Sequence, residues 1–216
     1  MQIQFISKSL IAVLLATQLS ACGILAVGGV AAGASVMADR RTPGVQAIDN
    51  GIEMEANAAL SKRFGDNAHI NVTSFNQKVL LTGEAKDVDI KGEAGAYVKA
   101  MKNARTVFNE IVIGPNSTYT ARANDSYLES KIKTQMIFTD KLPSNSMSIV
   151  AEGASVYLMG VLTQNEADLA KKVASNTNGV KDVYVYFDII SDTEKNRLEK
   201  QGKADESQPN SPPKFQ

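Results

Sequence analysis

Cys22 is the only cysteine of the 216-residue chain, and the residues before it give its thiol a particular setting. Met1 and Lys8 form a short basic start, Leu10-Ile11-Ala12-Val13-Leu14-Leu15-Ala16 an apolar run, and Leu19-Ser20-Ala21 brings small residues up to Cys22. That succession reads as a secretory signal peptide over 1–21, cut before Cys22. The apolar run is too short for a comfortable membrane span. A lone thiol at the start of an exported chain cannot form an internal disulfide. Other readings are an ordinary signal peptide with a cysteine near its cut, or a buried structural thiol.

The remaining reactive residue types do not assemble into a catalytic group. Ser130-Lys131-Ile132-Lys133 has the S-x-x-K spacing of a serine nucleophile with a lysine base, but no K-T-G or S-x-N partner accompanies it. His69 is the single histidine, too few for a histidine triad or a zinc site. Asp87 and Asp89 sit at a polar helix start, where they favour the helix dipole. Gly28, Gly29 and Gly33 lack the strand and helix that a phosphate loop requires. Asn71-Val72-Thr73 and Asn116-Ser117-Thr118 match the three-residue pattern of glycosylation acceptors. The expectation is a non-enzymatic protein without metal or cofactor. Equal numbers of basic and acidic residues, 23 of each, argue against a nucleic-acid partner, which favours a basic stripe.

The elements that would carry these residues repeat. Ile70-Asn71-Val72-Thr73 followed by Val79-Leu80-Leu81-Thr82-Gly83 matches Met147-Ser148-Ile149-Val150 followed by Val156-Tyr157-Leu158-Met159-Gly160. Alternation at Ile70/Val72, Val79/Leu81, Met147/Ile149 and Val156/Leu158 predicts two hairpins, each with one buried face. Their turns fall at Asn76-Gln77 and Glu152-Gly153. A helix precedes each hairpin: Ile52, Ala56, Ala59 and Leu60 after an Asp49 or Asn50 cap, then Leu128, Ile132 and Met136 after an Asn124 or Asp125 cap. A second helix follows each, along Ile90, Ala94, Tyr97, Val98 and Met101, and along Leu169, Ala170, Val173 and Ala174. Strands at 107–113 and 183–189 close the copies. Each copy thus reads helix–strand–strand–helix–strand, with a right-handed crossover and helices on one face of a three-stranded mixed sheet, an α+β fold. Units this small have marginal cores alone, so the copies are expected to pack together. Before them, the Gly/Ala-rich segment over 22–46 reads as a flexible tether. After them, 191–216 reads as a short helical extension dissolving into a largely disordered tail.

Two resemblances follow from these residues. Leu19-Ser20-Ala21-Cys22 resembles the lipobox of bacterial lipoproteins, which implies a lipid-modified Cys22 as first mature residue. Gly23 stands where an Asp would resemble an inner-membrane retention signal, which implies the outer membrane. The repeated unit, with its second strand closing on Gly83 and Gly160 and with Asn178-Gly179-Val180-Lys181-Asp182-Val183, resembles the BON domain. The expected domains span 47–115 and 123–190. The first copy lacks the Gly-Val turn at Asn103-Ala104-Arg105. Two such domains behind a lipobox are similar to the dual-BON outer-membrane lipoproteins.

That likeness implies no catalysis. It implies binding of anionic phospholipid by the first helix of the second domain, on the periplasmic side of the outer membrane, in support of membrane integrity and envelope remodelling at division. The alternative is a protein-binding adaptor for outer-membrane protein assembly or for regulators of the division amidases. On the helix in question, Leu128, Ile132 and Met136 make the core stripe, while Tyr127, Lys131, Thr134 and Phe138, flanked by Ile137, make another. An aromatic, a lysine and an apolar end suit a headgroup region. Alternatively, Tyr127 and Phe138 pack against the first copy. The second copy carries eight acidic residues against six lysines, so lipid selectivity needs a local patch.

Overall fold

The computed structural model describes residues 39–207, with side chains over 39–201. The expected signal peptide, Cys22 and the tether up to residue 38 lie outside the described residues, as does the chain after 207. Helix α1 runs Pro43–Phe64, a 3-10 turn Gly65–Asn67, then β1 Ala68–Phe75, β2 Lys78–Ala85, α2 Val88–Lys99, β3 Thr106–Asn109 and β4 Val112–Ile113. The second copy follows with α3 Tyr119–Ile137, a 3-10 turn Ser144–Ser146, β5 Met147–Glu152, β6 Ser155–Leu162, α4 Gln164–Ser175 and β7 Asp182–Ile189, and α5 Asp192–Ser207 ends it.

Each sheet is mixed. β1 and β2 pair antiparallel while β2 pairs parallel with β3 and β4; β5 and β6 pair antiparallel while β6 pairs parallel with β7. The two hairpins share one geometry. Asn76 (φ 54) and Gln77 (φ 64) link β1 to β2, and Gly153 (φ 58) and Ala154 (φ 66) link β5 to β6. Two consecutive left-handed residues suit the twist of the strands they join. The second turn is therefore Gly153-Ala154, one residue beyond the expected Glu152-Gly153, because Glu152 still pairs with Ser155. Gly83 is required by close approach: a Cβ there would lie 1.9 Å from the His69 carbonyl oxygen.

The helix starts differ from expectation. Thr42 caps α1 by accepting from the Val45 N–H, and Thr118 caps α3 by accepting from the Ala121 N–H. Asp49 and Asp125 lie inside the helices and tie down the hairpin turns instead. Asp49 accepts from the Asn76 and Gln77 N–H groups at 2.8 and 2.7 Å, and Asp125 from those of Gly153 and Ala154 at 3.0 and 3.1 Å. The strand expected at 107–113 is broken at Glu110-Ile111, although β3 and β4 keep one register against β2.

Each sheet buries one face under its own helices. Ile52, Ala56, Leu60, Val72, Val79, Leu81, Ala94 and Val98 form the first core; Leu128, Ile132, Met136, Ile149, Val156, Leu158, Leu162 and Ala170 form the second. The opposite faces bury one another. Phe75 and Leu80 meet Tyr157, Met159 and Val161, with Phe108 against Tyr186 at 4.2 Å between ring centroids. Asn71 donates to Glu152 at 3.1 Å, and Lys78 pairs with Asp188 at 2.8 Å across this junction. The copies pack together as the sequence anticipates, sheet against sheet.

The ends of the chain close the assembly. The tether expected over 22–46 stops short, since α1 already begins at Pro43 and the residues just before it are docked. Arg40, its side chain fully buried, bridges Glu166 of α4 at 2.7 Å and Glu199 of α5 at 2.8 Å. Lys195 adds a contact to Glu166 at 2.9 Å, and the Arg41 guanidinium lies 3.7 Å over the Phe75 ring. The short helical extension expected after 191 is Asp192–Ser207, sixteen residues long, with Leu198 packed against the sheet–sheet core.

Candidate lipid-facing surface

The core stripe of α3 leaves a second stripe free. Leu128, Ile132 and Met136 are buried, and the outward face carries Tyr127 at 67% exposure, Ile137 at 40% and Phe138 at 78%. Tyr127 and Phe138 therefore do not pack against the first copy. Thr134 lies between them, exposed, its hydroxyl donating back to the Ser130 carbonyl at 2.8 Å. Phe138 ends the helix as its C-cap. Lys131 is half-buried and donates to the Asn178 carbonyl at 3.0 Å, on the turn that links α4 to β7. A carbonyl partner leaves the ammonium charge uncompensated, so Lys131 still presents a cation beside Tyr127.

Two residues extend this surface beyond the sequence reading. Tyr119 is 86% exposed, lies two turns before Tyr127 on the same face, and carries the Arg122 guanidinium 4.9 Å from its ring. It escapes sequence reading because a helix start at Asn124 or Asp125 puts it outside the helix. Lys141, exposed with φ 64, stands at the tip of the loop that follows Phe138. Lys133, by contrast, turns inward and donates to the Ser144 carbonyl, and burial lowers its pKa although Asp39 and Glu129 oppose that. The lysine of the Ser130-x-x-Lys133 spacing is thus engaged by the Ser144 carbonyl.

The stripe from Tyr119 through Ala123, Tyr127, Ser130 and Thr134 to Phe138 bears no carboxylate. The same face of α1 differs in kind. Gly51, Glu55, Ala58 and Lys62 stand where α3 has Tyr127, Lys131, Thr134 and Phe138, so an aromatic, acid-free surface belongs to the second copy alone. Insertion of such an edge into a headgroup layer requires no new desolvation of acids and suits amphipathic aromatics. Among the described residues, no helix is long and apolar enough to cross a membrane.

A cleft of about 500 Å³ between the copies is the other candidate, lined by His69, Asn71, Arg122, Asp125, Glu129 and Glu152 among others. Burial, then Arg122, lowers the His69 pKa; burial pushes the Glu152 carboxyl up to about 7 and Glu129 up as well. Arg122 and His69 contact each other at 3.4 Å. No cluster of three or more His, Cys, Asp or Glu residues that could hold a metal occurs among the described residues. The hydroxyls of Thr73, Ser126 and Ser148 complete the polar lining of the cleft.

Comparison with known proteins concerns the chain as a whole. The model of the BON domain matches residues 49–115 and 124–190. The chain is 30% identical over 174 residues to the outer membrane lipoprotein DolP of Haemophilus influenzae, covering 80% of this chain and 90% of that protein. It is 29% identical over 154 residues to a 21 kDa hemolysin of Actinobacillus pleuropneumoniae, covering 70% and 79%. Among solved structures, CdsD, a structural protein of the type III secretion system of Chlamydia trachomatis, matches at 14% identity over 69% of this chain and 68% of that one. Its TM-score of 0.27 is too low to carry an argument.

Proposed function

Because the chain belongs to the BON-domain family and carries two copies of the domain, we propose that it is a non-enzymatic outer-membrane lipoprotein whose second domain docks on anionic phospholipid. The anchor is lipid on Cys22, and the folded part faces the periplasm. Similarity to a protein named as an outer membrane lipoprotein over most of both chains supports the compartment. The docking element is the outward face of α3: Tyr127, Ile137 and Phe138 enter the headgroup region, with Lys131 near lipid phosphates and Thr134 between the aromatics. The carrying observation is that this face is aromatic, exposed and free of carboxylates, whereas its counterpart on α1 is not. A lipid anchor plus a weak local grip gives high effective concentration, so neither has to supply the whole attachment. The biological consequence would be support of outer-membrane integrity and of envelope remodelling at division.

The test is co-sedimentation of the chain, with Cys22→Ser to remove acylation, against phosphatidylglycerol and phosphatidylcholine vesicles. Tyr127→Glu places a charge at the centre of the stripe and abolishes binding to the anionic vesicles while the circular dichroism spectrum stays native. Undiminished binding by that variant removes α3 as the docking element.

A further inference from the structure

Two sheets have four edge strands, and three of these edges are closed by side chains. On β1, Asn57 accepts from the Val72 N–H at 3.1 Å and donates to its carbonyl at 3.3 Å, and Glu53 accepts from the Ser74 N–H at 2.7 Å. On β5, the Glu129 carboxylate takes the Ala151 N–H. On the edge formed by β3 and β4, Asn109 turns aside: its amide donates to the Lys91 carbonyl at 2.8 Å and accepts from the Ile111 N–H at 3.4 Å, where the strand breaks. Natural sheets close their edges in such ways because an open edge is a template for another strand.

The fourth edge carries one such bond, at Phe187, and is open along Val183 and Val185. β7 runs eight residues without a break. The Ile190 N–H bonds inward to the Leu162 carbonyl, so even-numbered residues face β6 and Val183, Val185 and Phe187 turn their N–H and C=O groups outward. Lys78 takes the Phe187 carbonyl at 3.1 Å, and among the described residues nothing takes those of Val183 or Val185. Val185 stands where Asn109 stands in the first copy, two residues past Val183 as Asn109 is two past Val107. The residue that closes the first domain's edge is thus replaced by one that leaves it open. Tyr184, Val185 and Ile189 are 42%, 40% and 52% exposed.

We propose that the β7 edge receives an extended segment of another protein as an added strand of the second sheet. Main-chain groups at Val183 and Val185 would supply the hydrogen bonds, and Tyr184 and Val185 the apolar contacts on its two faces. Asp182, exposed at the start of β7, favours a basic residue on the incoming strand. A second copy of the chain offers Asp182 no basic partner: antiparallel pairing centred on Val185 sets it against Asp188, an acid that Lys78 already holds at 2.8 Å.

The probe is a fluorescein-labelled peptide, KTVTVTVK, titrated by anisotropy against the full lipidated chain in detergent micelles, with ETVTVTVE as its acidic counterpart. The wild-type chain binds the basic peptide in preference. Val185→Pro removes one outward N–H and is tolerated at an edge; it weakens binding about tenfold, the measure of one lost main-chain bond, with the thermal midpoint kept. Asp182→Lys reverses the peptide preference and decides the matter if the proline variant fails to fold. Absence of binding by the wild-type chain, equal binding by Val185→Pro together with an unchanged preference in Asp182→Lys, or a concentration-dependent dimer that Val185→Pro dissolves, overturns the proposal; the last would assign the edge to a second copy.

Discussion

Arg40→Met is the most informative single change to the fold. The Arg40 side chain is fully buried and holds both carboxylate oxygens of Glu166 at 2.7 and 2.9 Å. Removing one partner of a buried pair costs about 3–5 kcal/mol, because the other charge stays buried without it. Here Lys195 still reaches Glu166 at 2.9 Å, which points to the low end, about 3 kcal/mol. For a folded part of this size that is a drop of about 10 °C in the thermal midpoint. The pH dependence adds a second readout. Burial alone would push the Glu166 carboxyl up, but hydrogen bonds from Arg40, Lys195 and the Thr163 N–H outweigh it and hold it at about 2. A carboxyl whose folded pKa is depressed stabilises the fold above its unfolded value and loses that contribution as pH falls towards the folded value. Wild-type stability therefore declines between about pH 5 and pH 2, and Arg40→Met flattens that decline. The double variant Arg40→Met with Glu166→Gln recovers most of the loss, since no buried charge is left alone. Urea unfolding at pH 7 and pH 3 measures all of this. A cost under about 1 kcal/mol for Arg40→Met, or a double variant no more stable than the single, would refute the view that this contact is a buried clasp.

Glu152 behaves in the opposite sense. Its folded pKa is raised to about 7, mainly by burial, so it weakens the fold once ionised, and stability rises as pH falls from about 8 to 5. Glu152→Gln removes that slope, which denaturant midpoints at the two pH values will show; an unchanged slope assigns it to other groups. Gly83→Ala should prevent the first hairpin from closing, since its Cβ would lie 1.9 Å from a backbone oxygen at a residue with φ 102. A cooperative thermal transition within about 2 °C of wild type would show that the strands can separate to admit it.

The hairpins were legible because alternation is a property of neighbouring residues: Ile70, Val72, Val79 and Leu81 reveal their buried side without reference to anything distant. Helix starts were not. Asp49 and Asp125 have the residue type of a cap, but the same carboxylate satisfies the N–H groups of a tight turn equally well, and only the folded hairpin shows which was chosen. The true cap Thr118 precedes a first turn, Tyr119-Thr120-Ala121-Arg122, in which no apolar period announces a helix, whereas Thr42 precedes Pro43, Val45 and Ile48, a helix-start signal that the acidic cap candidates overshadowed. Packing of sheet on sheet left a trace in Val79-Leu80-Leu81 and Val156-Tyr157-Leu158-Met159, where consecutive apolar residues mean that both faces are covered. Docking of Arg40 left none, since its partners lie more than a hundred positions away. The stripe on α3 was readable as the face opposite Leu128, Ile132 and Met136; Tyr119 was lost with the misplaced start.

The back-to-back arrangement of the sheets has a mechanical consequence. Each layer of sheet or helix adds on the order of 10 Å, so the helices of the two domains look outward from opposite sides of a stack about 30 Å deep between helical layers. Surface laid down on α3 leaves α1 and α2 facing away from it, at a separation set by packed side chains rather than by a hinge. On the docking proposed for α3, the pair of domains would act as a spacer of fixed thickness, with one helical layer against the membrane and the other presented to whatever lies beyond.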